Sequence, residues 1–353
     1  MASGWDATVM GGGVFGLACA WEMARRGARI RLIERARIGA GASGGVVGAL
    51  APHAPERWTP LKAFQLDSLL AAGDFWAEVA ADAELSPGYA RTGRLQPLAD
   101  AAAVARAEAR AEAARALWRG RATWRVIDAA EAGGWAPESA TGRLVADTLA
   151  ARLHPRRAVA ALGAAIRARG GTLQEGGQRV GGEPGPEPVI WATGAAGLAG
   201  LSAALGREVG RGVKGQAALL GLDRRDAPQI GGTGLFVVPH ADGTVAVGST
   251  AERDFDDPHR TDALVDDLIA RARAAVPALA AAPVLRHWAG LRPRARSRAP
   301  MLGPWPGRPG QFVANGGFKI GFGLAPGVAR VMADLVLEGR DGIPEGCRVE
   351  DSL

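Results

Sequence analysis

Gly11, Gly13 and Gly16 stand at the spacing G-x-G-x-x-G, and Glu34 follows about 20 residues on. Glycines in that pattern do phosphate chemistry without side chains. The first permits a tight turn out of a strand. The second lets backbone approach a pyrophosphate, and the third lets a helix pack close to a sheet. The amides of Val14, Phe15 and Gly16 then open a helix whose partial positive charge faces the phosphates, and Glu34 offers a carboxylate to ribose hydroxyls. Far along the chain Arg292, Arg294, Arg296 and Arg298 alternate. A guanidinium fork takes a carboxylate through two parallel charge-assisted bonds. The same alternation fits a solvated strand edge, and residue type alone leaves both readings open. Lys319, one of only three lysines in the chain, sits in a second glycine-rich turn.

Other reactive side chains form no constellation. His53, His154, His240, His259 and His287 lack metal-ligand spacing. Asp256-Asp257 and Asp266-Asp267 read as a turn and a helix face. No Ser-His-Asp arrangement is evident. Cys19 and Cys347, the only cysteines, are far apart in the chain and imply neither a disulfide framework nor a metal cluster. A reducing cytoplasm is the expected location.

These residues need positioning elements. A chain of 353 residues with 48% hydrophobic content has room for two domains and a large core. The first unit, 5–34, reads strand, helix over 14–26, strand. The run 35–50 is rich in small residues yet carries Val, Leu and Ile, which fits backbone pressed on a ligand better than a linker. Apolar spacing predicts helices over 59–80, 154–169, 261–276 and 324–337, and a solvated helix over 100–119. Strands are expected over 92–98, 141–145, 188–195, 213–222, 234–239, 244–249, 285–291 and 311–318. The net charge of +6 comes from arginine spread along the chain. Without a basic tail or basic–aromatic module it argues against nucleic acid, while favouring anionic substrates. No run of about 20 apolar residues predicts a membrane span. The apolar run 9–21 lacks a charged leader and is full of loop glycines, unlike a signal segment.

Read in order, Gly11–Gly16, Glu34-Arg35, Gly41-Ala42-Ser43-Gly44-Gly45, Trp191-Ala192-Thr193-Gly194, Trp288-Ala289-Gly290-Leu291-Arg292-Pro293 and the turn 315–326 resemble the D-amino-acid oxidase superfamily. Within it the chain looks most like the glycine oxidases of thiamine biosynthesis and their sarcosine-oxidase-like relatives. The resemblance implies an α/β fold with an α+β second domain. A Rossmann-like FAD-binding domain is made of discontinuous segments, 1–82, 146–212 and 297–353. An antiparallel-sheet substrate domain takes 83–145 and 213–296. It implies non-covalent FAD, held also by Arg35, Ala42, Ser43, Gly48, Ala49, Leu50, Thr193, Gly194, Gly317, Phe318, Lys319, Ile320 and Gly321, with Val180 at the adenine.

The resemblance further implies oxidation of glycine or another small amino acid or amine by hydride transfer to the flavin. Oxygen is the expected acceptor and hydrogen peroxide the product; homo-oligomer formation is left open. Arg292 matches the position that pairs with the substrate carboxylate and borders the flavin. Phe236 stands where relatives place a tyrosine, and Lys319 where they place a second arginine. A D-amino-acid dehydrogenase using another acceptor, or a non-catalytic FAD-binding subunit, are the competing readings.

Overall fold

The computed structural model describes residues 4–176, 186–232 and 234–353. One sheet has six strands in the order Met301–Pro304, Gln311–Asn315, Val189–Trp191, Ala7–Met10, Ile30–Glu34 and Thr172–Glu175. All neighbouring pairs are parallel except the first, which is antiparallel. Parallel strands buried on both faces need apolar residues throughout. Ala7, Val9, Ile30, Leu32, Val189 and Ile190 meet that need and are all buried. The helix Val14–Arg25 packs on this sheet against the helices Gly321–Glu338 and Pro155–Ala168.

The second sheet has eight strands in the order Val284–Ala295, Gly210–Gly221, Thr244–Gly248, Leu235–Pro239, Gln229–Gly232, Arg94–Pro97, Arg143–Asp147 and Trp124–Asp128. Only the pair Gln229–Gly232 and Arg94–Pro97 is parallel. Alternation divides its faces. Ala218, Leu220, Val237, Val245 and Val247 pack under the helix Ala263–Ala275. Ala217, Val238 and Ala246 face the other way, against Val46 and Val47 of the small-residue run.

Two of the expected segment ends lie within paired strands. Breaks after residues 145 and 212 would fall inside the strands Arg143–Asp147 and Gly210–Gly221, which continue because each stays paired along its length. A helix over Gly194–Leu205 replaces the expected turn. Eight of its twelve residues are glycine or alanine, and three glycines weaken helix propensity, although Leu198, Leu201 and Leu205 do stand at helical spacing on one core cluster. The strand Trp124–Asp128 was likewise not anticipated from the sequence. No helix among the described residues is long and apolar enough to cross a membrane.

A histidine pair joins the start of the helix Pro155–Ala168 to the end of a strand in the second sheet. His154 is the N-cap residue of the helix Pro155–Ala168, and its ring lies 4.7 Å from that of His240, which follows the strand Leu235–Pro239. His154 Nδ1 and His240 Nε2 are buried without hydrogen-bond partners. Burial lowers both imidazoles, His240 to about 3, and the neighbouring arginines Arg157 and Arg152 add to this against the opposing charge of Asp242. His53 is lowered by burial as well. An imidazole with a depressed folded pKa costs nothing above about pH 6.5, where both states are neutral. Below that, the unfolded chain gains the proton first. Stability is therefore expected to fall as the pH drops below about 6.5, and for His240 down to about pH 3, by up to about 1.4 kcal/mol per pH unit. Urea midpoints across that window check it; a His240→Asn variant should show a shallower slope.

Candidate functional site

The glycines of the first turn have separate jobs in the structure. Gly11 has φ +108°, and a Cβ there would lie 2.5 Å from the Ala192 carbonyl oxygen. A Cβ at Gly16 would lie 2.0 Å from the Gly11 carbonyl oxygen. Both positions therefore exclude side chains for packing reasons. Gly13 is different: its Cβ would meet only Ser43 Oγ, at 3.4 Å. That leaves a cradle of backbone open at the head of the helix. Val14 N donates to Ser43 Oγ at 2.9 Å, while Phe15 and Gly16 amides have no protein acceptor among the described residues. Such a turn suits a pyrophosphate.

Glu34 closes the turn from outside. Its Oε2 accepts from Gly12 N at 2.7 Å and its Oε1 from Ala36 N at 2.8 Å. The carboxylate is thus fixed in place by backbone amides and keeps further lone pairs for a ribose. Arg35 beside it is exposed. The expected Val180 lies outside the described residues.

Two more helix starts reach the same edge. Thr193 is the N-cap residue of the helix Gly194–Leu205, and Asn315 Nδ2 donates to the Gly194 carbonyl at 3.0 Å. Gly321 opens the last helix, behind the turn 316–320. A Cβ at Gly317 would lie 2.8 Å from the Phe15 ring, and one at Gly321 would lie 3.5 Å from Val14. Three helix N-termini therefore gather beyond the carboxyl ends of three adjacent parallel strands, the place where open α/β sheets bind ligands. In the turn itself Ile320 N donates to Gly317 O, while Phe318, at φ +40°, donates its N–H to the Pro293 carbonyl at 3.0 Å. That bond ties the glycine turn to the strand that carries Arg292.

The small-residue run lies between the two sheets. Ala42 and Ser43 start a 3-10 turn, and Gly45 packs on the Trp288 ring. Gly48 has a structural job: a Cβ there would lie 1.8 Å from the Leu153 carbonyl oxygen. Ala49 and Leu50 pair with Arg152 and Ala151 as a short antiparallel ladder. The glycine at 48 is thus explained by chain packing, whatever ligand the run also borders.

Beneath this run, Trp288, Ala217, Gly248, Phe236 and Gly231 form one row across four cross-strand pairs. Two aromatic walls flank a floor of small residues, and Val47 fills the space above Gly248. One step along, Arg292 lies over Gly215: a Cβ there would sit 1.7 Å from Arg292 Nη1. The guanidinium is buried, and Nη1 donates to the Thr250 carbonyl at 3.1 Å. It has no other protein acceptor among the described residues. Burial pulls its pKa down to about 10, and Glu252 is the one opposing charge. That acid is already engaged by Lys214 Nζ at 3.4 Å and by Gln216 Nε2 at 3.1 Å. Arg292 is therefore a buried cation with most of its fork unused. Lys319 is exposed at the rim, its ammonium pKa lowered by partial burial and by Arg292 and Arg294. Arg296 and Arg298 are exposed, as a solvated edge would have them.

Sequence reasoning did not single out Gly215, Thr250 or Trp288 as site-forming. The signal for Gly215 was glycine inside a strand pattern, which marks close approach of another group. Nothing in the sequence pointed to the Thr250 carbonyl.

Residues 6–335 match the family described as FAD dependent oxidoreductase. A putative thiamine biosynthesis oxidoreductase, ThiO, of Rhizobium etli is 31% identical over 96% of this chain and 98% of its own length. The glycine oxidase of Geobacillus kaustophilus is 28% identical over 95% of this chain and 94% of its own. The crystal structure of glycine oxidase from Geobacillus kaustophilus superposes with a TM-score of 0.82 at 24% identity, covering 96% of each chain. The open cradle at Gly13 and the three converging helix starts fit the dinucleotide that this family uses. The chain belongs to the family of FAD-dependent oxidoreductases and is of the glycine oxidase type.

Proposed function

We propose that this protein oxidises the amine of a small amino acid, holding the substrate carboxylate on Arg292. The observation that carries the reading is the buried, largely unpartnered guanidinium over Gly215. A buried charge of that kind is costly without a counter-charge, and a carboxylate supplies one in the geometry a guanidinium fork prefers. Trp288 and Phe236 shield the neighbouring floor from water, which favours a neutral amine over an ammonium. No imidazole or carboxylate is needed as a base once the amine is neutral.

FAD, when bound, supplies the two-electron acceptor and passes those electrons to oxygen, giving hydrogen peroxide. Arg292 fixes one end of the substrate, and the aromatic walls limit how the Cα–H can turn. The imino acid that leaves the site is hydrolysed by water to an oxo acid and ammonia. Binding of FAD without a covalent link is supported by the lack of cysteine in the turn 316–320. A contribution to thiamine synthesis in the cytoplasm is supported by the name of the Rhizobium etli relative and by two buried, unlinked thiols.

Anaerobic titration with glycine, N-methylglycine and D-amino acids tests the reading. At least one should bleach the flavin absorbance, and admitting air should restore it with one peroxide per turnover. Bleaching without peroxide would mean a dehydrogenase with another acceptor. A flavin that none of them reduces would mean a non-catalytic FAD-binding subunit.

A further inference from the structure

Cations gather around Arg292 well beyond what one carboxylate needs. Arg292 and Arg294 share a face of their strand, and Arg211 stands directly opposite Arg294 on the next strand. Like charges facing across a ladder are destabilising. Arg294 is half-buried, and beside it come Arg253 and Arg298; all three neighbouring arginines depress its pKa, after burial, with no acid opposing them. Arg294 and Lys319 both lie against the Phe318 ring, the guanidinium carbon 5.8 Å and the ammonium nitrogen 5.6 Å from its centroid. Phe318 is the residue whose N–H is anchored to Pro293, next to Arg292. Among the described residues the acids nearby are already paired. Glu252 holds Lys214, and Glu208 lies 3.3 Å from Arg211.

We propose, building on the amine-oxidation reading, that the preferred substrate carries a second anionic group, with Arg292 taking one carboxylate and Lys319 and Arg294 taking the other. A monocarboxylate would neutralise Arg292 and leave the rim cations facing one another. A dicarboxylate spanning both positions relieves that repulsion, so the differential falls on the dianion. Lysine suits the outer position: it gives a point charge on a flexible stem and asks for no fork geometry.

Two measurements on the FAD-loaded protein decide the matter. Calorimetric titration with malonate and acetate, neither of which is oxidised, reads the cation set without turnover. Malonate is expected to bind at least tenfold more tightly, with the margin shrinking as ionic strength rises. Steady-state kinetics with iminodiacetate and N-methylglycine, which differ by one carboxylate, should give at least a tenfold higher kcat/KM for iminodiacetate. Lys319→Met should cut that ratio by at least tenfold. A smaller malonate margin in the native protein, or a ratio that Lys319→Met leaves in place, overturns the proposal. A cation that merely stabilised reduced flavin would lower both rates together and leave the ratio alone. If N-methylglycine reduces the flavin but malonate shows no margin, only the second-anion site is wrong. If neither amine reduces the flavin, amine oxidation fails and this proposal with it.

Discussion

Replacing Arg292 by methionine is expected to lower kcat/KM for the amine substrate by about a thousandfold, from two charge-assisted bonds worth about 2 kcal/mol each, while raising the melting temperature. The two effects have one cause. Arg292 is buried with a single hydrogen bond to the Thr250 carbonyl, and its one nearby acid is held by Lys214 and Gln216. Removing an under-compensated buried charge relieves a desolvation cost of about 1–4 kcal/mol. Methionine is long enough to cover the same floor. Steady-state kinetics and calorimetric melting of the flavin-loaded protein check the pair of effects together. If the variant loses activity and melts lower, Arg292 is a structural residue and the carboxylate assignment is wrong. Gly215→Ala should reproduce the activity loss with the charge still present, because its Cβ would displace the guanidinium.

Gly13→Ala and Gly16→Ala, though alike on paper, are expected to fail in opposite ways. Gly13 has extended backbone at φ −81°, which any residue adopts, and its Cβ would meet only the Ser43 hydroxyl. That variant should fold with near-native stability. Its methyl group projects into the cradle, so FAD affinity should drop at least about a hundredfold, equivalent to about 2.7 kcal/mol. Gly16→Ala instead drives a methyl into the Gly11 carbonyl, and should cost about 3 kcal/mol or more in stability through overpacking. Flavin absorbance after purification, with urea midpoints of the two apoproteins, separates the cases. A colourless but stable Gly13→Ala protein is the expected result. A Gly13→Ala protein that keeps its flavin at native affinity would place the pyrophosphate elsewhere.

The contrast between these glycines also marks how far the sequence could be read. Their spacing and the trailing Glu34 are local signals, because strand, turn and helix follow one another within 30 residues, and the parallel core could be read from them. The jobs of Gly48 and Gly215 depend on Leu153 and Arg292, which are distant in the chain, so no local pattern reveals them. Ser43 lies in a loop that reads as ligand-facing, yet its hydroxyl accepts from Val14, 29 positions away. The helix Gly194–Leu205 is masked by its three glycines, which read as a turn, although Leu198, Leu201 and Leu205 mark its buried face. The alternating arginines were legible as a strand. Which of them turned inward depends on the space over Gly215, two residues along the neighbouring strand from Val213, the partner of Arg292, and that is a tertiary fact.

The strand order of the six-stranded sheet carries a consequence for how the molecule is made. The phosphate turn is synthesised well before its partners: Ala7–Met10 has Val189–Trp191 as its neighbour, and Gln311–Asn315 lies one strand further on. The helix that covers Val14–Arg25 comes only with Gly321–Glu338. At roughly 5–20 residues per second, the nascent chain therefore carries an unfinished nucleotide fold for tens of seconds. Long-range parallel pairing is slow to close and exposed to aggregation while it waits. The cofactor cannot engage all three helix starts until Gly321–Glu338 has been synthesised. Flavin uptake is therefore expected to follow synthesis of Gly321–Glu338, and yield in a cell should depend more on chaperone capacity during synthesis than on flavin supply.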